Sequence, residues 1–277
     1  MTDFYAVIGN PIEHSKSPVI HHAFAQSTHQ DIQYERVLAP LDGLAETVHG
    51  LIAHGFKGAN VTVPFKLEAF AMANRLTSRA QDAGAVNTLI FDAEGIIGDN
   101  TDGVGLVRDI THNIGVSFAG KRVLLIGAGG ASEGVLHPIL AEHPALLIIT
   151  NRTMDKALNM VKRIEANDEM LFVSIQAYAF DDLHGQHFDI VINATSAGLS
   201  DSHLPLPAGI FAPNALAYDM MYGRITPFMG FALQQGAVVF GGLGMLIEQA
   251  AEAFTVWRGI RPSTAPVIAM FIQQAKA

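Results

Sequence analysis

The stretch Asn60-Val61-Thr62-Val63-Pro64-Phe65-Lys66 sets an amide, a hydroxyl and an ammonium group close together. Val61 and Val63 are β-branched and alternate with Asn60 and Thr62, the pattern of a strand end with its polar side chains on one side. Pro64 cannot donate to a sheet ladder and disfavours helical backbone at Val63. The strand is therefore expected to stop there, with a helix over 65–73 opening beside Lys66. Polar groups gathered at the carboxyl end of a strand are where open α/β sheets hold ligands. An ordinary strand-to-helix turn with a solvated lysine explains the same residues.

Two further stretches carry polar chemistry of the same kind. Asp99-Asn100-Thr101-Asp102-Gly103 places two carboxylates, an amide and a hydroxyl ahead of a helical pattern over 104–113. Asp102 there is either a helix cap or a carboxylate facing Lys66, and spacing leaves both open. Nearer the amino terminus, Ser15-Lys16-Ser17-Pro18 precedes a helical pattern, with Ser17 expected as its cap and Pro18 at its first position. The alternative is a helix amino end with two hydroxyls, suited to a carboxylate or phosphate. His21 and His22 are adjacent within this helix and lack a metal-binding spacing, so they read as packing and surface residues.

A different chemistry begins at Gly127. The apolar run over 121–126 leads straight into Gly127-Ala128-Gly129-Gly130-Ala131-Ser132 and a helix to about 141. Strand, glycine turn and helix in this order let backbone approach a pyrophosphate at the helix amino end. Ser132 holds the place of the third glycine of G-x-G-x-x-G. The next strand, over 145–150, ends in Asn151-Arg152-Thr153, with Lys156 soon after. An acidic residue would hold a ribose 2′-hydroxyl at this point. A guanidinium and an ammonium attract a 2′-phosphate instead, so the expectation is NADP(H) over NAD(H). A solvated basic cluster at a helix start is the plainer alternative, although the helix dipole opposes it.

The elements that must position these groups follow from the apolar runs and breakers. Strands are expected over 4–9 and 34–38 and at the end of the Asn60 stretch, with a helix over 41–53 between the last two, which makes a parallel α/β unit. A helix over 78–83 and a strand over 84–91, with Asn87 near its start, lead by the turn at 92–95 into a hairpin. In the second half, strands are expected over 171–175, 188–193, 215–219 and 237–240, with a small-residue turn at 194–198. Helices are expected over 226–235, 245–257 and 266–275; Gln249 falls on the face of Met245, one turn away.

Composition bounds the function. The chain has 277 residues, 49% of them hydrophobic and 16% charged, enough for well-filled cores in one large or two ordinary domains. It has no cysteine, which excludes disulfides, thiolate catalysis and cysteine zinc sites. A net charge of −9 argues against a broad surface for nucleic acid. No signal peptide and no membrane-spanning run are evident, so neither nucleic acid nor membrane is expected as a partner and the expected location is cytoplasmic.

Together these stretches resemble shikimate dehydrogenases over almost the whole chain, in the same order. The residues that carry the resemblance are Gly9-Asn10-Pro11 with Ser15 to Pro18, Gly58 to Lys66, Gly84-Ala85-Val86-Asn87-Thr88 and Gly98 to Gly103. Gly127 to Ala131, Asn151-Arg152-Thr153, Tyr218-Asp219-Met220-Met221-Tyr222 and Gly244-Met245-Leu246 with Gln249-Ala250 complete it. The resemblance implies two α/β domains with a deep cleft between them: a substrate-binding lobe of residues 1–102 plus 242–277, and a Rossmann-like NADP-binding lobe of residues 103–241. It implies NADPH-dependent reduction of 3-dehydroshikimate to shikimate, with Lys66 and Asp102 as the catalytic pair. It puts Ser15, Ser17 and Tyr222 on the substrate carboxylate, and Thr62, Asn87 and Gln249 around the ring hydroxyls with Asn60 nearby. Gly127, Ala128, Gly129, Gly130, Ala131, Asn151, Arg152, Thr153 and Lys156 would hold NADP(H), with Met220 and Gly244 near the nicotinamide. No metal is implied, and a homodimer is the candidate assembly.

The chain departs from the family pattern where Glu133 replaces a common arginine or threonine. Lys156 stands where many NADP-using members have arginine, and Gly241 where aspartate is frequent. Two other readings compete: a quinate/shikimate dehydrogenase using NAD, against which Asn151-Arg152 speaks, and a catalytically silent binding protein on the same fold.

Overall fold

The computed structural model describes residues 2–167, 173–195 and 203–275. The chain divides into two compact units, Met1–Gly105 with Leu246–Ala277, and Leu106–Met245. In chain order, the first unit opens with β1 (Asp3–Gly9), α1 (Ser17–Thr28), β2 (Ile32–Leu38), α2 (Leu44–Ala53) and β3 (Phe56–Val61). It continues through α3 (Lys66–Met72), β4 (Arg75–Leu76), α4 (Ser78–Ala83), β5 (Thr88–Asp92) and β6 (Gly95–Asp99). The helix α5 (Asp102–Arg108), prolonged by a π-helical turn over Asp109–Asn113, carries the chain from the first unit into the second.

The second unit holds β7 (Arg122–Ile126), α6 (Gly130–Ala141), β8 (Leu146–Thr150), α7 (Met154–Asn167), β9 (Ser174–Tyr178), β10 (Phe188–Asn193), β11 (Phe211–Asp219), α8 (Pro227–Gln234) and β12 (Val238–Gly241). The chain returns along α9 (Leu243–Arg258) and ends with α10 (Ala265–Gln274).

Among the described residues each unit is built on one sheet. In the first the order is β2-β1-β3-β5-β6-β4. Strands β1, β2 and β3 are parallel, whereas β5 runs antiparallel to both β3 and β6. The second sheet is parallel throughout, in the order β12-β11-β10-β7-β8-β9. This is the doubly wound order with a switch point between β7 and β10. Its strands are apolar at successive positions because both faces are covered. Val123 and Leu125 pack into one core and Leu124 and Ile126 into another.

Several expected boundaries shift, each for a local reason. Strand β3 ends at Val61, not Val63; Val63 is 69% exposed and its carbonyl accepts the Asn10 N–H. Asn87 precedes β5 instead of lying within it, its carbonyl accepting the Val61 N–H at the end of β3. Helix α2 begins at Leu44 because Gly43 closes a turn onto the Pro40 carbonyl. Ser17 is the first residue of α1 and not its cap: Lys16 precedes the helix, no side chain caps it, and the Ser17 N–H donates to Ser15 Oγ. Helix α9 starts at Leu243, so Gly244 lies inside it. The expected turn over 196–198 and the first two positions of the strand expected over 171–175 lie outside the described residues.

His21 is fully buried in the first unit, its ring stacked on Tyr34 at a centroid distance of 4.2 Å. Burial pushes the imidazole down to about 3, against a partial opposing pull from the Asn60 side chain. The unfolded chain takes up this proton near pH 6.5, so below that value the unfolded state binds more protons and stability falls with pH. The stabilisation is complete above about pH 6.5 and is lost progressively towards pH 3. Between about pH 6.5 and 5 the loss amounts to roughly 2 kcal/mol. The His21→Phe variant is expected to show a smaller fall in Tm over that interval than the parent; equal falls would exclude His21 as the source.

Candidate active site

Two strand ends and one connection meet in the first unit. Lys66 opens α3 just after β3, Asp102 opens α5 just after β6, and Asn87 sits at the entry to β5. Because β5 lies between β3 and β6 in the sheet, the three side chains converge although their sequence separation is large. Lys66 Nζ donates to Asp102 Oδ2 at 2.5 Å, and Asn87 Nδ2 donates to Asp102 Oδ1 at 2.9 Å. The backbone N–H of Asp102 donates to Asn100 Oδ1 at 3.1 Å. Lys66 keeps 31% of its side chain exposed and Asp102 14%, so a small molecule can reach the pair while most of it is out of bulk water. Asp102 thus belongs to a lysine pair and not to a cap alone.

Asp99, three positions earlier, braces this loop. Its carboxylate accepts from Thr77 Oγ1 and Arg79 Nε, each at 2.6 Å, and from the Asn100 N–H at 2.8 Å. Burial pushes its carboxyl up, but Arg79 and these donors outweigh burial and hold it below the usual carboxylate range. Gln249, on α9, presents Oε1 3.4 Å from both Asn87 Nδ2 and Thr101 Oγ1, its own amide tied to the Leu246 carbonyl. Thr62 is half-buried beside this ground, its N–H donating to the Ile8 carbonyl. Ser15 is fixed by Arg36, whose Nη2 donates to the Ser15 carbonyl at 2.6 Å.

The second unit carries the cofactor candidates. Gly127 follows β7 with a φ of +116°, backbone that a side chain would strain, and its N–H donates to the Thr150 carbonyl at 2.7 Å. Gly129 precedes α6 without a side-chain cap, and a Cβ at Gly129 or Gly130 would meet nothing within 4 Å. Open space over uncapped N–H groups suits a dinucleotide pyrophosphate. The buried hydroxyls of Ser132 and Thr150 have no protein partner among the described residues. Asn151, Arg152, Thr153 and Lys156 lie between β8 and the first turn of α7, the last three exposed, with Asn151 Nδ2 donating to the Thr153 carbonyl. Among the described residues, then, this unit fits an NADP(H) molecule.

Two features of this unit were not legible in the sequence. Arg163 on α7 donates to both carboxylate oxygens of Glu133, so the negative charge at the start of α6 is paired. Tyr218 donates to Asp109 Oδ2 at 2.7 Å, and burial, reinforced by the Asp109 charge, pushes its phenol well up. A Cβ at Gly244 would lie 1.9 Å from Asp109 Oδ1, which explains the glycine inside α9. Nearby, Asp219 accepts from Asn193, Thr226 and the Met221 N–H, fixing the connection that carries Met220 and Tyr222. Tyr222 is 38% exposed in the second unit. Among the described residues no group of three or more acidic or histidine side chains is placed to hold a metal, and no helix is long and apolar enough to cross a membrane.

Three family models match the chain: shikimate dehydrogenase substrate binding domain over residues 7–89, shikimate/quinate 5-dehydrogenase over 109–200, and shikimate 5′-dehydrogenase C-terminal domain over 242–269. The NADP(+) shikimate dehydrogenase of Methylobacillus flagellatus is 60% identical over 268 residues, covering 96% of this chain and 98% of that one. Among solved structures, an Ael1 enzyme from Pseudomonas putida is 46% identical with a TM-score of 0.90 over 97% of both chains. The shikimate 5-dehydrogenase from Thermus thermophilus in complex with NADP(H) and shikimate is 29% identical, with a TM-score of 0.85 over 99% of both.

Proposed function

The chain belongs to the shikimate dehydrogenase family, and from that premise we propose that it catalyses the reversible NADPH-dependent reduction of 3-dehydroshikimate to shikimate, on the route to chorismate and the aromatic amino acids. The observation that carries the reading is the pairing of Lys66 with Asp102, whose second oxygen is held by Asn87. Reducing a ketone needs a hydride for the carbonyl carbon and a proton for the oxygen. NADPH, when bound, supplies the hydride. Lys66 supplies the proton to the carbonyl oxygen and takes it back in the reverse direction. Asp102 orients the ammonium and accepts from the neighbouring substrate hydroxyl.

Thr62, Asn87 and Gln249 are assigned to the remaining ring hydroxyls, and the Ser15 and Ser17 hydroxyls to the substrate carboxylate. NADP(H) is held by the backbone from Gly127 to Ala131, with Asn151, Arg152, Thr153 and Lys156 around its adenosine 2′-phosphate and Met220 and Gly244 near the nicotinamide.

One assay tests the whole reading. Shikimate oxidation is measured with NADP+ and with NAD+, then quinate replaces shikimate. The expected result is turnover with shikimate and NADP+ well above every other pair. Preference for NAD+ or quinate would move the chain to the quinate/shikimate class, and no turnover with any pair would leave a silent binding protein.

A further inference from the structure

Tyr34 has no part in the assignments above, yet its side chain ends where they begin. It lies on β2, 3% exposed, with its ring stacked on His21. Its hydroxyl donates to Asn60 Oδ1 at 2.7 Å. Asn60 Nδ2 donates to the Asn87 carbonyl at 3.3 Å and to Thr88 Oγ1 at 3.0 Å. Thr88 Oγ1 donates to Asn87 Oδ1 at 2.9 Å, and Asn87 Nδ2 donates to Asp102 Oδ1 at 2.9 Å. The line runs from Tyr34 on β2 to the lysine–aspartate pair.

Backbone groups force the direction of every link. The Thr101 N–H can only donate, and it points at Asn87 Oδ1 at 2.9 Å. Asn87 must therefore turn its NH₂ towards Asp102. The Asn87 carbonyl can only accept, and it takes an Asn60 Nδ2 proton. Asn60 must therefore turn its oxygen towards Tyr34, which has to donate. Asn60 is 7% exposed and both its amide protons are used inside the protein. Its part in the reaction thus passes through Thr88 and Asn87.

We propose that Tyr34 is a positioning residue: its hydroxyl sets the amide of Asn60 and, through Thr88 and Asn87, aims the Asp102 carboxylate at Lys66. This rests on the catalytic assignment of Lys66 and Asp102. Without the Tyr34 proton the Asn60 oxygen is buried with no donor, and the amide shifts on its remaining anchors, loosening its link to Thr88. A hydrogen-bonded line of this kind acts as a unit, so breaking it twice costs no more than breaking it once.

The test compares Tyr34→Phe, Thr88→Val and their double variant in shikimate oxidation, with thermal unfolding to confirm the fold and Asp102→Asn as reference. Each single variant is expected to lower kcat about tenfold, the effect of one hydrogen bond acting in the transition state. KM for NADP+ is expected to stay unchanged, and the double variant to fall no further than the weaker single. Thr88→Ser, which keeps the hydroxyl, restores most of what Thr88→Val loses. A folded Tyr34→Phe with parental kcat, or losses that multiply in the double variant, overturns the proposal. If Tyr34→Phe does not fold, equal losses in Thr88→Ser and Thr88→Val overturn it. Retained turnover in Asp102→Asn instead breaks the catalytic assignment itself, which separates the two failures.

Discussion

Lys66→Ala is expected to lower kcat by about 10²–10⁴-fold, the usual contribution of a positioned acid or base. The KM for shikimate should change by less than about threefold, because the interaction removed is one made with charge developing on the reacting oxygen. The ammonium is placed for this by its neighbours. It opens α3 a short turn after β3, it is paired with Asp102, and Asp102 is held at its other oxygen by Asn87 and at its backbone by Asn100. A lysine whose only task was solvation or packing would show the opposite pattern, a modest fall in stability with turnover kept. Near-parental kcat in a folded Lys66→Ala protein therefore removes it from the proton-transfer role. Asp102→Asn keeps the volume and removes the charge. It is expected to lower kcat as well, since an amide must turn NH₂ towards either Lys66 or Asn87, both of which donate in the parent.

Much of this arrangement was legible from residue types. The apolar run of β7, the glycines after it and the basic residues after β8 match a dinucleotide-binding unit by local pattern, because strand, turn and helix follow one another directly in the chain. The pairing of Lys66 with Asp102 was legible only as one of two alternatives. Nothing in the spacing says that β5 will lie between β3 and β6, and that placement brings the pair together. Boundaries failed where tertiary contact overrules propensity. The helix expected from Met245 begins at Leu243 and takes in Gly244, where the Asp109 carboxylate leaves room only for a glycine. Val63 continues the apolar alternation of Val61 but ends up exposed, because the ladder stops at Val61 and Val63 keeps only the bond from the Asn10 N–H.

Tyr34 shows the limit most clearly. An aromatic residue in a seven-residue strand announces packing, and its ring does pack, on His21. That its hydroxyl meets Asn60, 26 positions later, is a property of β1 lying between β2 and β3. Arg163 is similar: an exposed helical arginine by pattern, it neutralises Glu133 only because α7 packs back beside α6. A carboxylate in the first turn of α6 suits the helix dipole but repels a pyrophosphate, and the Arg163 pairing offsets that repulsion.

The remaining large effect concerns the choice of cofactor. Arg152→Ala combined with Lys156→Ala is expected to raise KM for NADPH by about 10²-fold while leaving KM for NADH within about threefold. The two cofactors differ by a single 2′-phosphate, so a group that reads only that phosphate shifts one constant and not the other. Arg152 and Lys156 are exposed, one just before α7 and the other in its first turn. Each charged hydrogen bond to the phosphate is worth about 1.5–3 kcal/mol, and exposure places the pair near the lower end of that range, which gives the hundredfold figure. The helix dipole works against a cation at the start of α7, so an anion bound there relieves a standing repulsion. The dependence is ionic, and raising the salt concentration should shrink the NADPH advantage of the parent while leaving the double variant nearly unchanged. Equal weakening of NADPH and NADH would place these side chains on the pyrophosphate or the adenine, and the preference for the phosphorylated cofactor would then have to come from elsewhere in the unit.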